Sequence, residues 1–107
     1  TPQEVALVDA RRALKMFNKV GTKVLGIVEN MSYFICPDCG KQSYIFGKDG
    51  GSQSAKDLKV NLLGRVPIEP QVTEAGDEGV PIVIKDKESA SAKAFFEISE
   101  KVIKSAK

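Results

Sequence analysis

The sequence predicts an α/β fold: a mostly parallel sheet flanked by helices, with a small cysteine-bearing hairpin set into it. Three observations carry that prediction. Residues 23–28 and 61–66 are apolar runs without polar alternation, the pattern of strands covered on both faces in a parallel sheet. Helix-patterned segments lie between and after them, and strands alternating with helices build βαβ units. Between the two strands, short β-prone pieces flank Cys36-Pro37-Asp38-Cys39-Gly40.

Each element has its own signal. Thr1-Pro2-Gln3-Glu4 reads as a helix start, with Thr1 as cap, Pro2 in the first turn and Glu4 completing a capping box. Ala6, Ala10, Ala13, Leu14 and Phe17 then recur at helical spacing, and Asn18 to Gly21 supplies a stop. Residues 23–28 form the first buried strand, ending at Glu29-Asn30. Residues 31–47 make the hairpin, and Gly50-Gly51 opens a helix over 52–58. Residues 61–66 are the second buried strand, stopped by Pro67, and a short helix follows over 70–75. Residues 80–84 are apolar but contain Pro81, so they read as a loop or an edge segment. The last helix covers 89–106, with Phe95, Phe96, Ile98, Val102 and Ile103 on a wide apolar face. The main strands both read as central and nothing in the sequence covers their edges, so the chain is expected to be part of a larger sheet.

Composition bounds the function. At 107 residues the chain is one domain at most, and a compact fold of this size hides roughly 65% of the unfolded surface. Hydrophobic residues at 42% and charged residues at 28% argue against disorder. Sixteen Lys and Arg against fourteen Asp and Glu leave +2, with no long block of like charge. That gives nucleic acid or an anionic membrane no strong purchase, so neither is an expected partner. No apolar run approaches the roughly 18–20 residues that cross a bilayer, and the first residues do not resemble a signal peptide. A cytoplasmic location is the expectation. The sequence starts at Thr1 without an initiator Met, so a processed piece or the tail of something longer is expected.

There is no His, which removes the commonest general base near neutral pH and the commonest metal ligand. Ser/His/Asp and Cys/His catalysis cannot be built from these residues. The two cysteines sit together at Cys36 and Cys39. A loop so short restrains little of the unfolded chain, so a disulfide staple is a poor reading and a metal or redox role a better one. A Cys-x-x-Cys turn can present both sulfurs to one metal, as in knuckles that hold zinc or an iron–sulfur cluster. Such sites usually need four protein ligands, so the missing pair must come from a second copy or a partner. A thioredoxin-like redox pair is a rival, but it needs a helix after the first Cys, and Lys41 to Phe46 favours a strand. A purely structural knuckle, zinc-bound or empty, is the other.

Several stretches occur in a telling order: Gly26-Ile27-Val28-Glu29-Asn30-Met31-Ser32, Cys36-Pro37-Asp38-Cys39-Gly40 and Ile45-Phe46-Gly47. Leu63-Gly64-Arg65-Val66-Pro67-Ile68-Glu69-Pro70 and Gly79-Val80-Pro81-Ile82-Val83 follow. Taken together and in this order, they resemble the Mrp/ApbC family of P-loop ATPases in the MinD/ParA-like superfamily, which carry and transfer iron–sulfur clusters. No Gly-x-x-x-x-Gly-Lys-Ser/Thr occurs, and Gly47-Lys48-Asp49-Gly50-Gly51 is only glycine-rich, with Lys48 and Asp49 read as solvated loop charge. The phosphate cradle is therefore missing from these residues. The resemblance is to the C-terminal portion of such a protein, over residues 1–107, without its N-terminal P-loop half.

The resemblance implies a P-loop NTPase-type sheet and three site assignments. Cys36 and Cys39 match the cysteines that hold a bridging 4Fe-4S cluster between two subunits, with zinc as the alternative occupant. Asn30, at the carboxyl end of a buried strand where open sheets bind ligands, matches an adenine-contacting Asn. Its amide can donate to and accept from a base at once, although a turn-capping role is the plain alternative. Pro67, Ile68 and Glu69 match the segment lining the base, or else form an ordinary strand-ending turn. The implied function is an iron–sulfur carrier that is homodimeric through its Cys knuckle and delivers clusters to apo-proteins. ATP or ADP with Mg would bind in the full-length protein, and ATP hydrolysis is not expected of these residues alone. The alternative is a nucleotide-binding regulatory or structural module with a zinc-loaded knuckle and no transfer role.

Overall fold

The structure, a computed structural model, describes residues 1–106. Its elements in chain order are α1 (Glu4–Lys19), β1 (Ile27–Glu29), β2 (Phe34–Ile35), β3 (Gln42–Ser43) and α2 (Gly50–Leu58). They are followed by β4 (Leu62–Arg65), α3 (Pro70–Glu78), α4 (Ile82–Lys85) and α5 (Ala90–Ala106). The architecture is α/β, as the patterning predicts. β1 and β4 pair in parallel, with Val28 opposite Gly64 and Glu29 opposite Arg65, while β2 and β3 form the small antiparallel hairpin.

The core lies where apolar side chains from β4 meet α5. Leu63, Val66 and Ile98 bury one another, and Ala94 and Val102 pack against them. On the other side of the sheet α2 packs on β1 and β4, and α1 packs on α2, burying Leu7, Leu14 and Ala55. Ala75, Ile82 and Ala92 close the gap between α3, α4 and α5.

Four local readings differ from the structure, each for a physical reason. The capping box does not form: Gln3 is the N-cap of α1, and Glu4 gives its carboxylate to Arg11 two turns on at 2.7 Å. β1 is shorter than its apolar run, starting only at Ile27, and its register slips between Ile27 and Val28. Residues 80–84 are neither loop nor edge: Pro81 caps α4, with its fixed φ of −58° suited to a helix entry. The apolar face of α5 buries Ile98, but Phe95, Phe96 and Ile103 remain substantially exposed. Val28 in β1 is likewise 41% exposed, so the sheet is covered on both faces only in part among the described residues.

Candidate functional site

The residues singled out in the sequence gather at the carboxyl end of the β1–β4 pair and in the hairpin beyond it. There the chain leaves β1 through Asn30 and Met31, whose φ of +51° lies in the left-handed region. The Asn30 side-chain carbonyl accepts the Met31 N–H at 2.8 Å, so the turn-capping role holds in the structure. Asn30 is exposed, and its side-chain nitrogen has no protein partner among the described residues. The parallel ladder then resumes beyond the turn. Ser32 N–H donates to Val66 O at 3.0 Å, Ile68 N–H donates to Tyr33 O at 2.7 Å, and Phe34 bridges Ile68.

This ladder seats the hairpin directly on the segment that follows β4. Pro67 is buried, and Ile68 and Glu69 are half-buried. The Glu69 carboxylate accepts both the N–H and the hydroxyl of Ser91, at 2.6 and 2.8 Å. A carboxylate on the first turn of α5 satisfies its free N–H groups and suits the positive end of the helix dipole. That side chain is thus turned to α5, and Ile68 and the main chain remain as the rest of the segment.

The cysteines occupy the tip of the hairpin. Cys36 is half-buried and Cys39 exposed, and both are free thiols. The turn is closed by Cys36 N–H to Lys41 O at 2.9 Å and Gly40 N–H to Cys36 O at 2.8 Å. Gly40 sits at φ +74°, a conformation that a side chain would strain, so this position needs glycine. The backbone N–H groups of Cys39 and Asp38, and then the Cys39 thiol, point at the Cys36 sulfur and hold its pKa below the ordinary thiol value of 9.0. No cluster of three or more His, Cys, Asp or Glu with metal-holding geometry occurs among the described residues. The tip can therefore offer two thiolates, half of a tetrahedral set. It is followed by β3, not by a helix, so the sulfurs have no helix N-terminus of the thioredoxin kind.

Beneath the hairpin is a buried polar group that the sequence reading passed over. Glu29, the last residue of β1, is 3% exposed. Its carboxylate accepts the Ser32 hydroxyl, the Gly51 N–H at 2.7 Å and the Arg65 guanidinium at 3.3 Å. Arg65 also reaches Asp49 at 3.5 Å, so Asp49 is tied to the site. Gly51 permits this closeness: a Cβ there would stand 2.8 Å from one Glu29 oxygen and 2.9 Å from Glu29 Cβ. A cavity of about 270 Å³ opens beside these groups, walled by Tyr33, Gln42 and Tyr44 of the hairpin. The sequence signal for this constellation was the Glu and Arg at matching ends of two apolar runs, which parallel pairing makes direct neighbours.

A helix-flanked parallel strand pair with a two-thiol hairpin beyond its carboxyl end places the chain among the α/β proteins. The chain belongs to the ParA family of P-loop NTPases in the form described as NUBPL iron-transfer P-loop NTPase, whose family model matches residues 1–103. This bears out the resemblance to the Mrp/ApbC carriers. A protein of Synechocystis named iron-sulfur cluster carrier protein is 56% identical over 103 residues, which is 95% of this chain and 29% of that protein. The iron-sulfur cluster transfer protein NUBPL of Dictyostelium discoideum is 47% identical over 104 residues, 97% of this chain and 32% of that one. The chain thus spans about a third of the length of the curated relatives it matches.

Solved structures agree on the fold. The ADP-complexed nucleotide-binding protein of Archaeoglobus fulgidus is 35% identical with a TM-score of 0.68, over 90% of this chain and 38% of that one. The septum site-determining protein MinD of Pyrococcus horikoshii, complexed with Mg-ADP, is 27% identical with a TM-score of 0.75, over 98% of this chain and 39% of that one. The sheet is thus a portion of a MinD-like P-loop NTPase sheet. Among the described residues no helix is long and apolar enough to cross a membrane.

Proposed function

We propose that this chain is the cysteine-bearing portion of an iron–sulfur cluster carrier, C-terminal to the P-loop half, and that the cluster is its cargo. The observation that carries the reading is the two-thiol tip, exposed and short of ligands by half. Cys36 and Cys39 from one copy and the same pair from a second copy complete four thiolates around a 4Fe-4S cluster, making the protein a homodimer through its knuckles. A cluster on such a seam is open to transfer to an apo-protein when the interface shifts. Relatives named as cluster carrier and cluster transfer proteins support the role.

The nucleotide half of the reading places ATP or ADP, with Mg, against this same end of the sheet in the full-length protein. Asn30 offers its side-chain amide to the base, and Ile68 with the Pro67–Glu69 main chain lines it. The ADP-bound neighbour supports this placement. Hydrolysis would draw on a phosphate loop that these residues do not contain, and the cytoplasm is the expected location.

Anaerobic reconstitution of the protein with iron and sulfide tests the reading. The expected product is a brown dimer with one cluster per two chains that passes its cluster to an apo-protein, and Cys36→Ser or Cys39→Ser abolishes colour and dimer together. A colourless zinc-loaded dimer that transfers nothing would instead establish the regulatory or structural module. Full metal loading on a strict monomer would remove the shared site.

A further inference from the structure

No apolar side chain of the hairpin is buried: Phe34 and Ile35 of β2 are half-buried, and both residues of β3 are exposed. Its underside faces a cavity of about 270 Å³. What holds it is the ladder at Phe34 and Ile68 and the carboxylate of Glu29. The Glu29 carboxylate joins three segments around the foot of the hairpin. Ser32, on the way into β2, donates its hydroxyl; Gly51, at the start of the helix that follows β3, donates its N–H; Arg65, ending β4, supplies the opposite charge. Arg65 carries the link on to Asp49 in the return segment. A buried carboxylate with these partners is strongly held in one geometry, because losing any partner leaves a desolvated charge or donor.

Glu29 also adjoins the turn that leaves β1. Asn30 follows it directly, and the Asn30 side-chain oxygen caps Met31 N–H, the residue held at positive φ. The cap fixes the turn that leads from Glu29 to Ser32, at the foot of the hairpin.

We propose that Glu29 is the positioning residue of the cysteine hairpin, the group that fixes how Cys36 and Cys39 are presented. That these thiols hold a cluster rests on the function proposed above; the anchoring of the hairpin by Glu29 does not.

The test reads the two thiols directly in the cluster-free protein, by mass-spectrometric rates of alkylation with iodoacetamide. Glu29→Gln keeps the shape but replaces an acceptor oxygen with a donor, facing Ser32, Gly51 or Arg65. It is expected to raise the Cys36 rate by roughly fivefold, the scale of one lost hydrogen bond. Ser32→Ala, which removes one bond and leaves the Glu29–Arg65 pair, is expected to do about half of this, and Ser32→Thr to restore it. Ile98→Ala, a truncation in the β4–α5 core, is expected to leave the rates unchanged, which separates positioning from general loss of stability. Unaltered thiol rates in Glu29→Gln and Ser32→Ala overturn the proposal.

Discussion

Leu63 of β4 and Val66 just beyond it close on Ile98 of α5 with almost no exposed surface, while both residues of β3 are exposed and Cys39 stands free at the hairpin tip. The first region is built from contact between apolar side chains, which is non-directional and proportional to the area buried. The second is built from a few directed bonds: two ladder contacts, a closed turn and one buried carboxylate. The packing of the core and the presentation of the thiols therefore rest on different forces. Substitutions in the core should cost free energy and leave the thiols alone, and only substitutions beneath the hairpin should move the thiols.

The largest expected effect on stability tests the first half of that contrast. Ile98→Ala deletes a side chain buried against Leu63 and Val66, and such truncations cost about 2–5 kcal/mol. Denaturant unfolding measures it. A loss below about 1 kcal/mol would mean the β4–α5 contact is not the core, since that lies under the usual range for this substitution.

Gly51→Ala attacks the boundary between the regions. The new Cβ would press on Glu29 at 2.8–2.9 Å, and overpacking of this kind costs about 1–3 kcal/mol. Both readouts should move together: a lower unfolding midpoint and faster alkylation of Cys36. Movement of the midpoint alone would show that α2 and the hairpin are less tightly linked than the shared carboxylate implies.

A smaller change is expected at Ser91. Ser91→Ala removes the hydroxyl bond to Glu69 but keeps the N–H bond, so the loss should be near 0.5–1.5 kcal/mol, the net value of one hydrogen bond. Because Glu69 adjoins Ile68 on the ladder, ADP affinity measured by calorimetry is the informative second readout. Unchanged affinity would confine Glu69 to capping α5.

The fold was legible in the sequence wherever one dominant force acted over a long stretch. Apolar runs without alternation gave the parallel pair, and helical spacing gave α1 and α5, because each signal repeats over many residues. The misses fall where two readings of one residue competed. Pro81 breaks a strand and equally starts a helix, and only the packing of Ile82 against α3 and α5 decides for α4. Glu4 fits a capping box and equally pairs with Arg11, and the latter won. The knuckle was legible because Cys-Pro-Asp-Cys-Gly is a local motif. Glu29 was not, because its importance rests on Ser32, Gly51 and Arg65, brought together from three segments. A charged residue closing an apolar run looks like a boundary until the register sets Arg65 beside it.

The smallest expected effect sharpens the hairpin side of the contrast. The Cys36 thiol is lowered from 9.0, chiefly by the backbone N–H of Cys39, then that of Asp38, and then the Cys39 thiol. The pH profile of Cys36 alkylation should therefore have its midpoint below 9.0. The sign for stability follows: a depressed thiol favours the folded turn above the ordinary thiol value, and that contribution fades as pH falls through the lower folded value. Because the donors are main-chain N–H groups of the turn, Asp38→Asn should leave the midpoint in place, and Ile98→Ala should too. Denaturant, which opens the turn, should return the midpoint toward 9.0. A midpoint that followed the Asp38 carboxylate or the core truncation would mean the thiol is tuned by charge or by the packed sheet. In that event the knuckle would not be the self-contained turn that its hydrogen bonds describe.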